Sequence, residues 1–368
     1  MSMKYEMEIG NFSKGKYKFF SVVGEIGPEK SELAICGTKE KKSFHVVVRS
    51  TFDSKEISDI SDKINELLHI VKRDYDIEVN RCCIAAAGPV SRKRGYIRLT
   101  NLDLEINSHD IMSKTLLNKV ILINDYEAYG YGLNLINFDN DVILLNHKDD
   151  DLMETWTSEN VYSLIGSNVG LGVSILYYDH KKHLHIPLPS EGGHIDFTVR
   201  DKFDLDFITY LNESEMNGDC CIVEYEKVLS EQGFLKLFDF VVRTEKFDIS
   251  DLDREIMDQD CGEKIRTILS NHSNDEICKF VVSKFSNYFG RFARNIALIS
   301  ESYSGMFIHF RLGLDYPGIL QDGEFISEFE NHDNKNDVLR KIPVYLISKE
   351  DLGIFGCCNV ASNFFNLS

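Results

Sequence analysis

The chain lacks any run of apolar residues long enough to span a bilayer, which would take about 20 in succession. It has no block of Lys and Arg. Acidic residues outnumber basic ones, 59 to 41, and the net charge is −18. That balance leaves no phosphate-backbone footprint, so nucleic acid is not expected as a partner. The first 18 residues mix both charges and carry no apolar core, so no signal peptide is read there. Among nine cysteines there is no Cys-x-x-Cys and no zinc spacing. Three adjacent pairs (Cys82-Cys83, Cys220-Cys221, Cys357-Cys358) cannot easily bridge within themselves, which favours reduced, buried thiols and a cytoplasmic protein. No spacing of ligand residues points to a metal site, and no membrane association is expected.

What remains is an ordinary globular composition, 43 % hydrophobic over 368 residues, enough for two domains or one large one. The stretch that organises it is Val120-Ile121-Leu122-Ile123-Asn124-Asp125-Tyr126. Four apolar β-formers run into an amide and a carboxylate, and a helical pattern follows from Glu127 to Leu135. Such a strand delivers polar groups at its carboxyl end, where open α/β sheets bind ligands. The plainer reading is that Asp125 only caps the next helix.

In chain order, Tyr17 to Gly24, Ser31 to Gly37 and Phe44 to Phe52 read as a meander of three strands. A helix with apolar spacing runs from Ile57 to Val71, a strand from Arg81 to Ala87, a short strand from Tyr96 to Leu99, and a helix from Asp110 to Leu117. Residues 139–160 read as a solvated surface excursion. A second meander follows (Val161 to Ile165, Leu171 to Tyr178, His183 to Ile186), then mostly helices from Phe203 to Ile299. The apolar segments 222–246 and 276–299 fit either a subunit interface or the core. Strands at Met306 to Phe310 and Val344 to Ile347 and a helix at Phe355 to Phe365 close the chain. A meander followed by α/β elements thus occurs twice, without a residue-level repeat.

Six segments in fixed order carry a resemblance: Cys83-Ile84-Ala85-Ala86-Ala87-Gly88-Pro89, Leu99-Thr100-Asn101, Leu122-Ile123-Asn124-Asp125, Glu191-Gly192-Gly193-His194-Ile195-Asp196-Phe197, Tyr225-Glu226-Lys227-Val228-Leu229-Ser230, and Ile342-Pro343-Val344-Tyr345-Leu346-Ile347. Together they resemble the bacterial-type glucokinases over most of the chain. The resemblance implies an α/β chain with a duplicated ribonuclease H-like (actin-like ATPase) fold, two domains around a cleft. A small domain would cover 1–138 and be joined by the C-terminal helix 348–368, and a large one would cover 139–347. It further implies Asp125 as the catalytic base towards a sugar O6, with Asn124 beside it. Glu191 and His194 would hold hydroxyls at the anomeric end, Glu226 would add a third carboxylate, and Thr100 and Asn101 would line the same pocket. The cofactor implied is Mg-ATP, the substrate glucose or a related hexose, the state a homodimer, and the motion a closure of the halves around the sugar.

The nucleotide half departs from that pattern. The family's first phosphate loop is Asp followed by Gly-Gly-Thr; here it is Gly24-Glu25-Ile26-Gly27-Pro28-Glu29-Lys30. Glu25 replaces the Asp that helps order magnesium, Pro28 removes an N–H, and Glu29 places an anion near a phosphate. Glu32 stands where the family usually carries Arg, and Lys30 offers a partial offset. In the second loop, Gly-Thr-Gly has become Asn168-Val169-Gly170. The adenosine loop carries Phe310-Arg311 in place of a glycine pair. Two readings follow. One is a glucokinase that holds ATP by altered contacts, through Glu25, Gly27, Lys30, Asn168, Val169, Gly170, Phe310 and Arg311. The other is a sugar-binding pseudokinase, a sensor or interaction protein that has lost ATP and needs no cofactor.

Overall fold

The structure, a computed structural model, describes residues 5–7, 12–40, 43–91, 93–99, 102–146, 161–167, 170–215, 222–244 and 246–364. The chain divides into two compact units. One comprises Met1–Asn137, Leu184–Pro189 and Lys349–Ser368, the other Phe138–His183 and Ser190–Ser348.

The first unit is built on a six-stranded sheet. Its elements are β1 (Tyr5–Met7), β2 (Phe19–Ile26), β3 (Lys30–Glu40), β4 (Ser43–Asp53), α1 (Ile60–Tyr75), β5 (Arg81–Ala86), β6 (Tyr96–Arg98), β7 (Glu105–Asn107), α2 (Ser108–Lys114), β8 (Lys119–Asn124) and α3 (Asp125–Leu133). The strand order is β1-β4-β3-β2-β5-β8. The meander is antiparallel, and β2, β5 and β8 run parallel. Alternation with period two sends Val22, Cys82 and Ile84 to one face and Val23, Cys83 and Ala85 to the other. Both faces are covered, so these strands are apolar throughout, as buried parallel strands are.

Helix α1 packs Ile60, Ile64, Leu67 and Val71 on one face. It begins three residues later than the apolar spacing predicts, because Asp59 caps it by accepting from the Ser61 N–H at 2.9 Å. On the other face, α3 lies against the closing helix Leu352–Asn363. The two backbones approach so closely that a Cβ on Gly356 would sit 1.8 Å from the Ala128 carbonyl oxygen.

The second unit repeats the plan. Its strands are β9 (Val142–Leu144), β10 (Tyr162–Ser167), β11 (Leu171–Asp179), β13 (Gly305–His309) and β14 (Val344–Ile347), in the order β11-β10-β13-β14-β9. The pairs β10/β13 and β13/β14 are parallel. Of β12 (Leu184–Ser190), residues 184–189 group with the first unit, where the His185 backbone exchanges hydrogen bonds with the Asn134 side chain at 2.7 and 2.9 Å. Helices α4 (Lys202–Glu215), α5 (Tyr225–Val228), α6 (Glu231–Arg243), α7 (Asp251–Met257), α8 (Cys261–Asn271) and α9 (Glu276–Ser300) follow. The core gathers Phe234, Leu237 and Phe238 from α6 with Val281, Phe285, Phe289 and Phe292 from α9, so one face of each of these helices packs into the interior, while Ile222 and Ile299 at the ends of the two apolar segments are exposed. A buried ionic network holds α9, where Arg291 meets Asp204 at 2.8 Å and Arg294 meets Glu328 at 3.0 Å.

The expected excursion at 139–160 contains a strand. β9 pairs antiparallel with the edge of β14, and Ile143 and Leu144 keep their side chains exposed. Residues 147–160 and the pair Cys220-Cys221 lie outside the described residues. Cys82, Cys83, Cys357 and Cys358 are fully buried, and burial pushes the Cys82, Cys357 and Cys358 thiols well up. No helix among the described residues is long and apolar enough to cross a membrane.

Candidate active site

In the first unit the polar groups gather at the carboxyl ends of β2 and β8. Register places Glu25 beside Ala85, and Ala86 between Ile26 and Asn124. Asn124 is the N-cap of α3. Its Oδ1 accepts from the Tyr126 N–H at 2.9 Å and the Glu127 N–H at 3.4 Å, and its amide donates to the Gly88 carbonyl at 3.3 Å. The cap therefore falls on Asn124, not Asp125. Asp125 occupies the first helical position, half-buried, with one oxygen accepting its neighbour's N–H at 3.0 Å. A carboxylate in the first helical turn is favoured by the backbone dipole.

Glu25 lies close by, also half-buried, and accepts from the Tyr129 hydroxyl at 2.5 Å. Tyr129 is four residues along α3 from Asp125, so one helix face presents both groups. Burial pushes the Glu25 carboxyl up to about 7. The Tyr129 hydrogen bond opposes the rise, and the charge of Asp125 adds to it. The other oxygen of Glu25 covers Gly353, where a Cβ would come within 2.1 Å.

Glu32 is the cross-strand partner of Glu25. Arg49, on β4, donates to Glu32 at 2.7 Å and to Asp351 at 2.8 Å. The guanidinium that sequence comparison misses at position 32 thus arrives from the adjacent strand. Gly27 permits the tight turn into β3, since a Cβ there would sit 2.7 Å from the Lys30 carbonyl oxygen. Lys30 itself is exposed.

The second unit supplies the other cluster. A single 3₁₀ turn, Gly192–His194, follows Glu191. Gly193 is required by packing rather than by a ligand, because a Cβ there would fall 1.9 Å from the Leu171 carbonyl oxygen. Nδ1 of His194 lies 3.2 Å from Glu224, and Nε2 lies 3.9 Å from Glu191. Burial disfavours the charged imidazolium. The hydrogen bond that His194 donates to Glu224 and the charges of Glu226, Glu224 and Glu191 outweigh it, so His194 titrates above its ordinary value.

Glu226 accepts the Leu171 N–H at 2.9 Å and lies against Gly170, where a Cβ would come 2.9 Å from the carboxylate. It is thereby tied to the hairpin between β10 and β11. His194, Glu224 and Glu226 bring donor atoms within 4.8 Å of one another. Asp253, Asp275 and Cys278 do the same elsewhere in this unit, where two helix caps meet: Asp253 accepts from Ser250, and Asp275 from the Cys278 N–H.

In the loop that the resemblance assigns to adenosine, Phe310 turns inward and stacks with Phe285 at 6.1 Å and meets Phe289 edge-on at 5.5 Å. The ring that sequence reasoning places in the nucleotide space is committed to the core, which needs its area. Arg311 is exposed and pairs with Asp315 at 3.5 Å. Thr100, Asn101, Asn168 and Val169 lie outside the described residues. Sequence reasoning missed Glu224, Tyr129 and Arg49. The first two carried a signal, the Glu-x-Glu spacing of Glu224 and Glu226 across the start of α5 and i,i+4 spacing from Asp125; Arg49 carried none.

The duplicated sheet and the two polar clusters define the class, a ribonuclease H-like (actin-like) α/β fold of the kind used by sugar kinases. A family profile named Glucokinase matches residues 22–364. A glucokinase from Nostoc sp. is 24 % identical over 353 residues, covering 93 % of this chain and 98 % of its own. The crystal structure of glucokinase from Balamuthia mandrillaris in complex with glucose superposes with a TM-score of 0.76 at 19 % identity, covering 93 % of each chain. A ROK family glucokinase from Streptomyces griseus in complex with glucose and AMPPNP gives a TM-score of 0.61 at 13 % identity, covering 93 % of this chain and 99 % of that one. The chain belongs to the glucokinase family.

Proposed function

We propose that the chain binds glucose and transfers the γ-phosphoryl group of ATP to its 6-hydroxyl. The observation that carries this reading is the placement of Asn124 and Asp125. Asn124 takes over the helix cap, which leaves Asp125 at the carboxyl end of a parallel strand, on the first turn of α3. Asp125 would accept the O6 proton as O6 bonds to the γ-phosphorus and the bridging bond to ADP breaks. For such a transfer the protein's part is chiefly positioning. Asn124 orients the O6 end, Glu191 and His194 hold hydroxyls at the anomeric end, and Glu226 is the third carboxylate, with Thr100 and Asn101 from the first unit. In family terms, residues 1–138 with the closing helix form the small domain and 139–347 the large one, and two copies associate.

Nucleotide contacts are assigned to Glu25, Gly27 and Lys30, to the Asn168-Val169-Gly170 hairpin, and to the loop of Phe310 and Arg311 through its backbone and the exposed guanidinium. Magnesium takes hard oxygen donors and usually only one or two protein carboxylates. Glu25, a half-buried carboxyl with the Asp125 charge nearby, fits that donor type and would hold the ion. Bound there, magnesium would neutralise charge on the β- and γ-phosphates. The nucleotide-bound relative from Streptomyces supports the same use of ATP.

One observation favours the second reading, sugar binding without transfer: the Phe310 ring fills core volume, and no glycine pair opens the adenosine loop. A thermal-shift series separates the two. Ligand that binds only the native state raises its stability by about 2.7 kcal/mol at a hundred times Kd. Glucose should raise Tm by several degrees, Glu191→Ala should abolish the rise, and Mg-ATP should add a further one. No response to glucose at millimolar concentration would defeat both readings. A glucose response with none to Mg-ATP would leave only the second.

A further inference from the structure

We propose that Glu224 is a positioning residue for the sugar site, fixing the His194 imidazole so that Nε2 stands beside the Glu191 carboxylate. The inference rests on the reading of His194 and Glu191 as sugar contacts, and extends it to a residue outside the resembled motifs.

The geometry begins with the backbone. Asp196 and Glu224 form an isolated β-bridge. The Phe197 N–H donates to the Val223 carbonyl at 2.8 Å, and the Tyr225 N–H to the Ile195 carbonyl at 3.0 Å. These bonds join the segment after His194 to the segment that carries Glu224. Its carboxylate therefore reaches Nδ1 of His194, at 3.2 Å, from an anchored main chain. An imidazole as exposed as this one, at 44 %, would otherwise sample both ring orientations and both tautomers.

With Nδ1–H donating to Glu224, the other nitrogen is the one left for a ligand. A carboxylate behind an imidazole fixes tautomer and orientation in the same way at metal and catalytic histidines. A sugar hydroxyl both donates and accepts. In the protonated ring Nε2–H can donate to its oxygen while Glu191 accepts its proton, which gives one hydroxyl two partners; in the neutral ring the bare Nε2 accepts a hydroxyl proton instead. The charged groups facing His194 are Glu191 on its own turn and Glu224 and Glu226 on the facing helical turn. The strand packed against the turn presents Leu171 and Val173, which carry no charge.

The test uses the full chain and Glu224→Gln, which keeps the side chain's shape and removes its charge. Long-range ¹H–¹⁵N NMR of the His194 ring is recorded across pH 5–9, with glucose affinity measured by calorimetry in parallel. The wild type should show Nδ1 protonated throughout. In the variant the titration midpoint should fall, and glucose Kd should rise about tenfold at pH 8 and less at pH 6, as expected for loss of a charge-assisted hydrogen bond. A wild-type ring with Nδ1 bare at neutral pH would overturn the proposal without any variant. So would a variant with unchanged titration and unchanged Kd. If glucose fails to bind the wild type while the substitution still shifts the ring, the sugar reading falls and Glu224 is reduced to a structural partner. The NMR arm keeps that failure distinct.

Discussion

At Glu25 a sequence departure becomes a measurable property. A Glu where the family has Asp carries its carboxylate one methylene further out, with one oxygen accepting from the Tyr129 hydroxyl and the other lying over Gly353. Its carboxyl sits at about 7 in the folded chain against an ordinary 4.5, chiefly through burial. A raised acid pKa contributes stability that is fully present below 4.5 and is lost as pH rises through 7. In magnesium-free buffer, Glu25→Gln should therefore be more stable than wild type at pH 8. The expected gain is about 2 kcal/mol once partial solvent screening is allowed for. The gain should shrink steadily towards pH 5 in denaturant titrations, and a difference that does not change with pH would refute the assignment. The pairings of Glu25 with Tyr129 across 104 residues and of Glu32 with Arg49 across 17 were not legible, although Tyr129 stands four residues from Asp125. The Asn124-Asp125 pair was legible, because a strand-to-helix junction is local.

Among elements, α3 and the closing helix show how packing sets the position of the chemistry. Their approach depends on Gly132 and Gly356, where added methyl groups would collide with the Leu352 and Ala128 carbonyls at 2.4 and 1.8 Å. Neither backbone contact can yield as a flexible side chain could. Gly356→Ala should cost about 2–3 kcal/mol in unfolding free energy through overpacking. It should also lower glucose affinity or turnover by displacing α3, which begins at Asp125. A variant of unchanged stability and activity would contradict the close-packed geometry. Long elements with clean periodicity were readable, and their ends shifted to the capping residues, as at Asp59 for α1. Of the three-residue strands, β6 was expected, while β1, β7 and β9 were missed, since three residues give periodicity almost nothing to act on. β9 is defined by pairing with β14, some 200 residues later in the chain.

For the whole molecule, the repeated order of a meander followed by parallel strands was visible without residue-level repetition, because topology follows the order of elements rather than their identity. The second unit's polar cluster was visible in outline through Glu191, His194 and Glu226, and Glu224 was passed over although it stands two residues before Glu226. The nucleotide half is where the sequence departs from the family, and the structure gives that departure physical form in the Arg49 bridge, the raised Glu25 carboxyl and the inward Phe310. None of these forbids phosphoryl transfer, and the Asp125 placement favours it.

The most direct measurement is a coupled assay for glucose 6-phosphate with purified protein, glucose and Mg-ATP, run beside Asp125→Asn. The account predicts turnover in the wild type and a loss of at least about a hundredfold in the variant, the lower range for a general base. Glucose binding should survive the substitution in weakened form. Wild-type protein that binds glucose yet forms no product, or a variant as active as the wild type, would contradict it.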